Sequence, residues 1–368
     1  MKFNKISKKL AACSLAGVMM VSMMGMTVCA EGGVTGGTEA SPITSVPVNK
    51  TVSAAENTYA PKTTFNFTVT PAGATTITDK EGNSVDVKTG IADGLKDDKG
   101  AIFAPDTSAD TSATYTPLDA NKASLKTDVS KFTEPGIYHY RVSEKNERYE
   151  GITYDNTTYD VYVYVSAKLD ANGNATSDMY VSGVVSAKSA DGETAKSDLN
   201  FNNAYNGVHK VTVTKKVQGG FATASDTFEF EVTVNGSTAG EAYKVVYTTK
   251  GTETITHVVS GGKIDVTLGK DDNVTIYGLS EKDSYTITEK GVTNGKTATG
   301  YTVTDNCGVS DGIVSGNGGT KDANYTITNT KEAVTPTGIA MTVAPYILMV
   351  AVAGIFAILF LRRRHEEA

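Results

Sequence analysis

The sequence predicts an all-β protein: two tandem Ig-like β-sandwich domains, carried between an N-terminal export signal and a C-terminal membrane-spanning segment. Three observations predict it. Apolar and polar residues alternate along many short runs, the composition favours strands, and one set of motifs occurs twice in the same order.

The alternation is clearest in Phe65-Asn66-Phe67-Thr68-Val69, in Tyr159-Asp160-Val161-Tyr162-Val163-Tyr164-Val165, and in Phe228-Glu229-Phe230-Glu231-Val232-Thr233-Val234. A period of two marks a half-buried strand. No stretch between residues 46 and 333 carries a convincing helical period. Thr, Val and Gly abound, Trp is absent, and the 18 Tyr outnumber the 11 Phe, a mixture suited to pleated, half-buried surfaces. Residues 31–45, rich in Gly, Thr and Ser, read as a flexible leader. Residues 92–115, rich in Asp, Ala and Thr, read as a long loop with at most one helical turn.

The repeat runs as follows. Val46-Pro47-Val48-Asn49-Lys50-Thr51-Val52 returns as Val211-Thr212-Val213-Thr214-Lys215-Lys216-Val217. Phe65-Asn66-Phe67 returns as Phe228-Glu229-Phe230. Tyr140-Arg141-Val142-Ser143-Glu144 returns as Tyr285-Thr286-Ile287-Thr288-Glu289, and Phe201-Asn202-Asn203 as Ile327-Thr328-Asn329. Two copies of one sandwich follow, residues 46–206 and 207–333, joined near Asn206-Gly207.

Both ends read as processing segments. Lys2, Lys5, Lys8 and Lys9 precede an apolar stretch over residues 10–26, and Val28-Cys29-Ala30 supplies compact residues for signal peptidase. Residues 1–30 are therefore expected to leave as a secretory signal peptide. At the other end, residues 339–361 hold no charge and are long enough to span a bilayer. Arg362, Arg363 and Arg364 follow, which places the body of the chain outside the cell. Val334-Thr335-Pro336-Thr337-Gly338 stands just before the span. Pentapeptide, apolar helix and basic tail, in that order over residues 334–368, form a sortase sorting signal.

The net charge of -7 and the lack of any basic cluster in the body argue against nucleic acid. Cys13 and Cys29 leave with the signal peptide, so Cys307 remains alone and no intrachain disulfide can form.

The chemistry lies in which face each polar residue takes. Side chains two apart share a face. Lys50 is in phase with Val46, Val48 and Val52; Glu144 with Tyr138, Tyr140 and Val142; Asn203 with Leu199, Phe201 and Tyr205. In the second copy Lys215 is in phase with Val211, Val213 and Val217, Glu289 with Tyr285 and Ile287, and Asn329 with Tyr325 and Ile327. Each repeat thus aims one Lys, one Glu and one Asn at an apolar interior. An unpaired buried charge or amide is costly. A plain Lys–Glu ion pair is often no more stable than an apolar replacement, and leaves the Asn unexplained. A reaction uses all three. Burial favours a neutral amine and a neutral carboxylic acid. The amine can then attack the Asn carbonyl while the acid polarises it and carries protons. Ammonia leaves and an amide joins Lys to Asn. This happens once per domain, so it is maturation and not enzymatic turnover.

At these residues the chain resembles the isopeptide-forming, two-domain major (backbone) pilins of Gram-positive bacteria, of the streptococcal T-antigen or FctA type with CnaB-type domains. The resemblance runs from Val46 to the tail. It rests on the Val-x-Val-x-Lys openings, the Phe-x-Phe strands, Tyr138-x-Tyr140-x-Val142-x-Glu144, Gly151-Ile152-Thr153-Tyr154-Asp155 and the closing Asn strands. It implies that Lys50 bonds Asn203 with Glu144 catalysing, and Lys215 bonds Asn329 with Glu289 catalysing. Asn202 competes with Asn203 but is out of phase with Phe201. It also implies that a pilin-specific sortase cuts between Thr337 and Gly338 and joins Thr337 to a lysine of the next subunit. Lys196, seven residues before Asn203, has the spacing of that lysine, and Lys188 is the runner-up. Two departures are visible: Pro336 stands directly before Thr337 with no Leu-Pro opening, and the Tyr-Pro-Lys motif is absent. The implied partners are other copies of the chain, the sortase, ancillary pilins and peptidoglycan, at the cell surface, with no cofactor.

Weaker signals fail. Residues 291–297 miss a phosphate loop by one residue, and Asp170-Ala171-Asn172-Gly173-Asn174 has a misplaced Gly for a calcium loop. His139, His209, His257 and His365 have no zinc spacing, and nothing marks Cys307 as a nucleophile. A wall-anchored adhesin is the alternative to a shaft subunit; a secreted enzyme is the third reading, and it has no clustered acid, base or metal set to support it.

Overall fold

Strands follow from the alternation, and packing decides where they lie. The structure, a computed structural model, describes residues 33–79, 82–190, 196–307, 311–333 and 337–366. The export signal expected over residues 1–30 lies outside the described residues. The chain forms two β-sandwiches in tandem, each around its own core. One core gathers Val48, Phe67, Leu125, Tyr140, Val161 and Phe201; the other gathers Val213, Phe230, Val245, Ile276, Ile287 and Ile327.

Among the described residues, one sheet of the first sandwich runs in the order Ile152–Thr153, Asn200–Tyr205, Ser45–Ala54, Ala123–Thr127, Leu95–Lys99. The facing sheet runs Val34–Gly36, Ala175–Lys188, Thr158–Leu169, Gly136–Glu144, Ser84–Thr89, Thr75–Thr78, with Phe67–Pro71 also paired to Gly136–Glu144. In the second sandwich one sheet centres on Asn273–Ser280, Val208–Gln218, Ala323–Thr330 and Thr302–Asp305. Facing it are Gly262–Leu268, Phe228–Asn235, Ser284–Glu289 and Ile313–Asn317.

One feature of this topology positions the site. In each sandwich the strand bearing the Lys lies parallel to the strand bearing the Asn, although the two are far apart in sequence. Phe201 pairs with Lys50 and Asn203 with Val52; Ile327 pairs with Lys215 and Asn329 with Val217. The register is the same in both, the Asn standing opposite the residue two beyond the Lys. The Glu arrives from the facing sheet, where Glu144 pairs with Phe67 and Glu289 with Phe230.

Three expectations change. The leader is not wholly free: Val34–Gly36 forms a strand on Ala175–Lys188, and Ile43 joins the first core. An open strand edge offers unpaired backbone groups, and this segment satisfies them. Residues 92–115 are not one loop but hold the strands Leu95–Lys99, Ala101–Phe103 and Thr114–Tyr115. In Leu95–Lys99 the charges mask the strand, since an edge strand needs few apolar residues and only Leu95 is buried there; the other two are too short to show an alternation. At the far end a helix, Thr337–Glu366, starts two residues before the expected span. Among the described residues no helix is long and apolar enough to cross a membrane. Residues 334–336 of the expected sorting signal lie outside the described residues.

The sandwiches meet closely. The Gly207 N–H donates to the Gly151 carbonyl at 3.0 Å. Gly151, at φ 74°, adopts the left-handed backbone that favours glycine. Across the joint Tyr149 Oη donates to Glu241 Oε1 at 2.5 Å, Lys282 Nζ pairs with Glu150 at 2.7 Å, and Lys244 Nζ donates to Asn57 Oδ1 at 3.0 Å.

Candidate functional site: two buried Lys–Glu–Asn triads

The alternation of Ser45–Ala54 turns Val46, Val48, Lys50 and Val52 to one buried side. Lys50 therefore enters the core because its neighbours two away do. It is 2% exposed, and Asn203 is fully buried. Lys50 Nζ donates to Glu144 Oε2 at 3.0 Å, and both side chains are removed from solvent. Asn203 Nδ2 donates to the other carboxylate oxygen, Oε1, at 2.8 Å. The carboxylate thus bridges amine and carboxamide, one oxygen to each. The Asn203 carbonyl oxygen faces away from it and accepts the Asp155 backbone N–H at 2.8 Å, so Glu144 meets the leaving nitrogen and not the carbonyl expected from the sequence.

The second sandwich repeats the arrangement. Lys215 Nζ donates to Glu289 Oε2 at 2.6 Å, and Asn329 Nδ2 to Glu289 Oε1 at 2.5 Å. Lys215 and Asn329 are fully buried and Glu289 is 1% exposed. Asn329 Oδ1 is buried with no hydrogen-bond partner among the described residues.

Aromatic rings close both sites. Lys50 Nζ lies 4.9 Å from the centre of the Phe65 ring. Lys215 Nζ lies 4.3 Å from that of Phe228 and 5.4 Å from that of Phe230. These phenylalanines were legible as core residues, but nothing in the sequence assigned them to the amines. Their faces tolerate a cation and also exclude water.

Burial sets the protonation states. Desolvation pulls the Lys50 amine down to about 8, against the opposing attraction of Glu144, and pulls Lys215 down to about 8 against Glu289. Desolvation likewise pushes the Glu144 carboxyl up, with Lys50 opposing. In the first sandwich a proton can therefore pass from Lys50 to Glu144 at modest cost, leaving a neutral nucleophile beside a neutral acid.

Asn202, the competing residue, is exposed and accepts from the Thr51 and Ser53 hydroxyls on the outer face; it is not brought to Lys50. Lys196 is exposed and forms an antiparallel bridge with Ala187, close to the leader strand. Lys188 is also exposed, at the end of Ala175–Lys188. Thr337 and Gly338 open the C-terminal helix, a short way along the chain from Asn329 of the second triad and far from the first. Cys307 is exposed; burial and the charges of Asp305 and Asp311 push its thiol up, the reverse of what a nucleophile needs. Asp155 is a contact of the triad that the sequence did not assign. Its motif was legible, but the aim of a backbone N–H in a turn was not.

Comparison with known proteins agrees with this architecture. Residues 46–206 match the FctA family, described as a Spy0128-like isopeptide containing domain, and residues 209–331 match a domain of unknown function, DUF7601. A curated protein of Streptococcus pyogenes serotype M1, named "Pilin", is 30% identical over 277 residues, covering 69% of this chain and 77% of that protein. Among solved structures, the major pilin protein (T3.2) of Streptococcus pyogenes serotype GAS13637 has a TM-score of 0.56 at 22% identity, covering 81% of this chain and 99% of that one. The major pilin protein (T-13) of serotype GAS131465 has a TM-score of 0.53 at 23% identity, covering 82% and 99%. At these identities the structures speak for the fold.

Proposed function

Because the chain belongs to the pilin family, we propose that it is the shaft subunit of a covalent pilus, strengthened by one self-made Lys–Asn isopeptide bond in each sandwich. The observation that carries this reading is the buried Lys–Glu–Asn triad, built twice at one register. A chance buried polar cluster would not recur with the same strand offset and the same two-oxygen bridge.

The reaction follows from the geometry. The Lys50 ammonium gives a proton to Glu144 Oε2 and becomes a nucleophile. Its nitrogen attacks Cγ of Asn203, and the carbonyl π electrons move onto Oδ1. The second proton of the attacking nitrogen returns to the carboxyl group, and Oε1 delivers a proton to Nδ2. The C–Nδ2 bond breaks, ammonia leaves, and a Lys–Asn amide remains. Lys215, Glu289 and Asn329 do the same. Holding both partners on one carboxylate supplies much of the rate. Each site reacts once, so the protein is a substrate of its own folding rather than an enzyme.

Outside the cell, a pilin sortase would cleave between Thr337 and Gly338 and join Thr337 to Lys196 of the next copy. The exposure of Lys196 beside a sheet edge supports this choice. Ancillary pilins and peptidoglycan would be the further partners, and the membrane-anchored form would be a transient precursor.

Intact-mass spectrometry tests the crosslinks. The folded protein is expected to be lighter than its processed sequence by two ammonia molecules, and Glu144→Ala or Glu289→Ala to restore one each. Full mass in the wild type would refute the reading. Immunoblots of wall extracts are expected to show a high-molecular-weight ladder that Lys196→Ala abolishes; a single band in the wild type would favour the adhesin.

The lowered lysine has a pH signature. In Asn203→Ala, which keeps Lys50 and Glu144 but cannot react, the amine titrates at about 8 when folded and at its ordinary 10.5 when unfolded. Between those values the unfolded chain holds the extra proton, so stability rises with pH across that window. Below about 8 both states carry the charge and the rise is absent. Urea midpoints from pH 7 to 10 are expected to climb in Asn203→Ala but not in Asn203→Ala/Lys50→Met. Equal slopes would show that Lys50 is not desolvated.

A further inference from the structure

The two triads are alike at the amine and the acid, but not at the carbonyl. This difference builds on the crosslinking reading and goes beyond it. We propose that the Asp155 backbone N–H is an oxyanion donor for the first crosslink, and that the second site works without one, so the first sandwich closes faster.

As Lys50 attacks Cγ of Asn203, charge develops on Oδ1. The atom 2.8 Å from it is the Asp155 nitrogen, with its hydrogen directed at that oxygen. A donor aimed where charge appears, inside a water-free core, strengthens its bond as the reaction proceeds. The donor is also fixed in place. Asp155 Oδ2 accepts the Asn202 N–H at 2.8 Å and Oδ1 accepts the Thr157 N–H at 2.8 Å. The side chain thus grips the backbone next to Asn203, while the main chain grips the Asn203 side chain. This double contact sets the carboxamide's orientation: Oδ1 must face the N–H donor, so Nδ2, the leaving nitrogen, must face Glu144. In the second sandwich Asn329 Oδ1 is buried without any such donor among the described residues. Among the described residues its amide orientation is held only through Nδ2 and Glu289.

The chemical balance is unchanged. The oxyanion formed on Oδ1 collapses to the new amide carbonyl, ammonia carries off Nδ2, and the Asp155 N–H neither gains nor loses a proton. Asp155 lowers the barrier by a hydrogen bond alone. Losing one such donor typically costs ~10²–10³-fold in rate.

The test uses the full extracellular chain made by cell-free translation, quenched in acid at intervals, with the mass of each domain read after proteolysis. The α-hydroxy analogue of aspartate at position 155 replaces the N–H with an ester oxygen and keeps the side chain. The first domain is expected to lose its ammonia about 10²-fold more slowly, while the second keeps its wild-type rate. Closure of the first domain at the wild-type rate overturns the proposal. Should tyrosine fluorescence show the ester chain less folded than Asn203→Ala, Asp155→Ala decides. It keeps the N–H and is expected to close within about tenfold of wild type; a loss as complete as that of Glu144→Ala overturns the proposal. Glu144→Ala in the same series separates the two ideas. If its first domain still loses ammonia, the crosslinking mechanism fails; if only the ester is without effect, the oxyanion donor alone fails.

Discussion

Glu144→Ala is expected to lower the unfolding midpoint of the first sandwich by roughly 10–20 °C, and the size of the drop follows from chain entropy. A bridge from Lys50 to Asn203 closes a loop of about 150 residues, which constrains the unfolded chain by about 5 kcal/mol. For a domain of this size, 1 kcal/mol moves the midpoint by roughly 2–4 °C. The variant also leaves the Lys50 amine in the core with its carboxylate gone. Breaking a buried pair by removing one partner costs ~3–5 kcal/mol when the charge stays. Here part of that is relieved, because burial has already drawn the amine down to about 8 and it can enter neutral. Lys50→Met separates the two effects: it removes the bridge but leaves no ammonium. Glu144 is then alone, yet its carboxyl is already pushed up by burial and accepts a proton readily. Lys50→Met is therefore expected to lose the bridge contribution only, and to unfold above Glu144→Ala. Differential scanning calorimetry of the whole extracellular chain reads both, with the second sandwich as an internal reference. An unchanged midpoint in Glu144→Ala would mean that no bridge had formed.

The triads were legible because a period of two is rigid information. Once Val46, Val48 and Val52 are assigned to the core, Lys50 has nowhere else to point, and the same holds for Glu144 and Asn203. What the period could not give was strand order. That the strand of Asn203 lies parallel to that of Lys50, offset by two residues, depends on how the chain crosses from sheet to sheet. Leu95–Lys99 was hidden for a different reason. An edge strand with one buried side chain carries no alternation to read, and its charges, which deter pairing with other chains, look like those of a loop. Val34–Gly36 was hidden by its shortness and its glycine, since the pairing that orders it comes from Ala175–Lys188 and not from its own sequence. Asp155 shows the same limit at the site itself. Its value lies in the direction of a main-chain N–H, which no side-chain pattern encodes.

Pili built from Glu289→Ala subunits are expected to stretch under force by several hundred Å per subunit, and pili built from Glu144→Ala subunits by only a few tens. The asymmetry follows from where load enters. If the previous subunit is attached at Lys196, tension runs from Lys196 along Asn200–Tyr205, through the joint at Gly207, and into the second sandwich. Residues 33–195 then hang beside the load path and cannot be drawn out by it. The proposed first crosslink would act as a pin, stopping the loaded strand from sliding out of its parallel pairing with Ser45–Ala54. Without the pin, only the strand itself peels away. In the second sandwich the load reaches Lys215, crosses to Asn329 and leaves toward Thr337. The proposed crosslink there would shield a loop of about 110 residues, roughly 400 Å of extended chain at ~3.6 Å per residue. Without the bridge that whole loop is in line with the force. Pulling native polymers from wild-type and variant cells by force spectroscopy reads the step length directly, because the subunits stay attached as the cell joined them. Steps of several hundred Å from Glu144→Ala pili would place the entry of load near the start of the first sandwich and remove Lys196 from the chain of attachment.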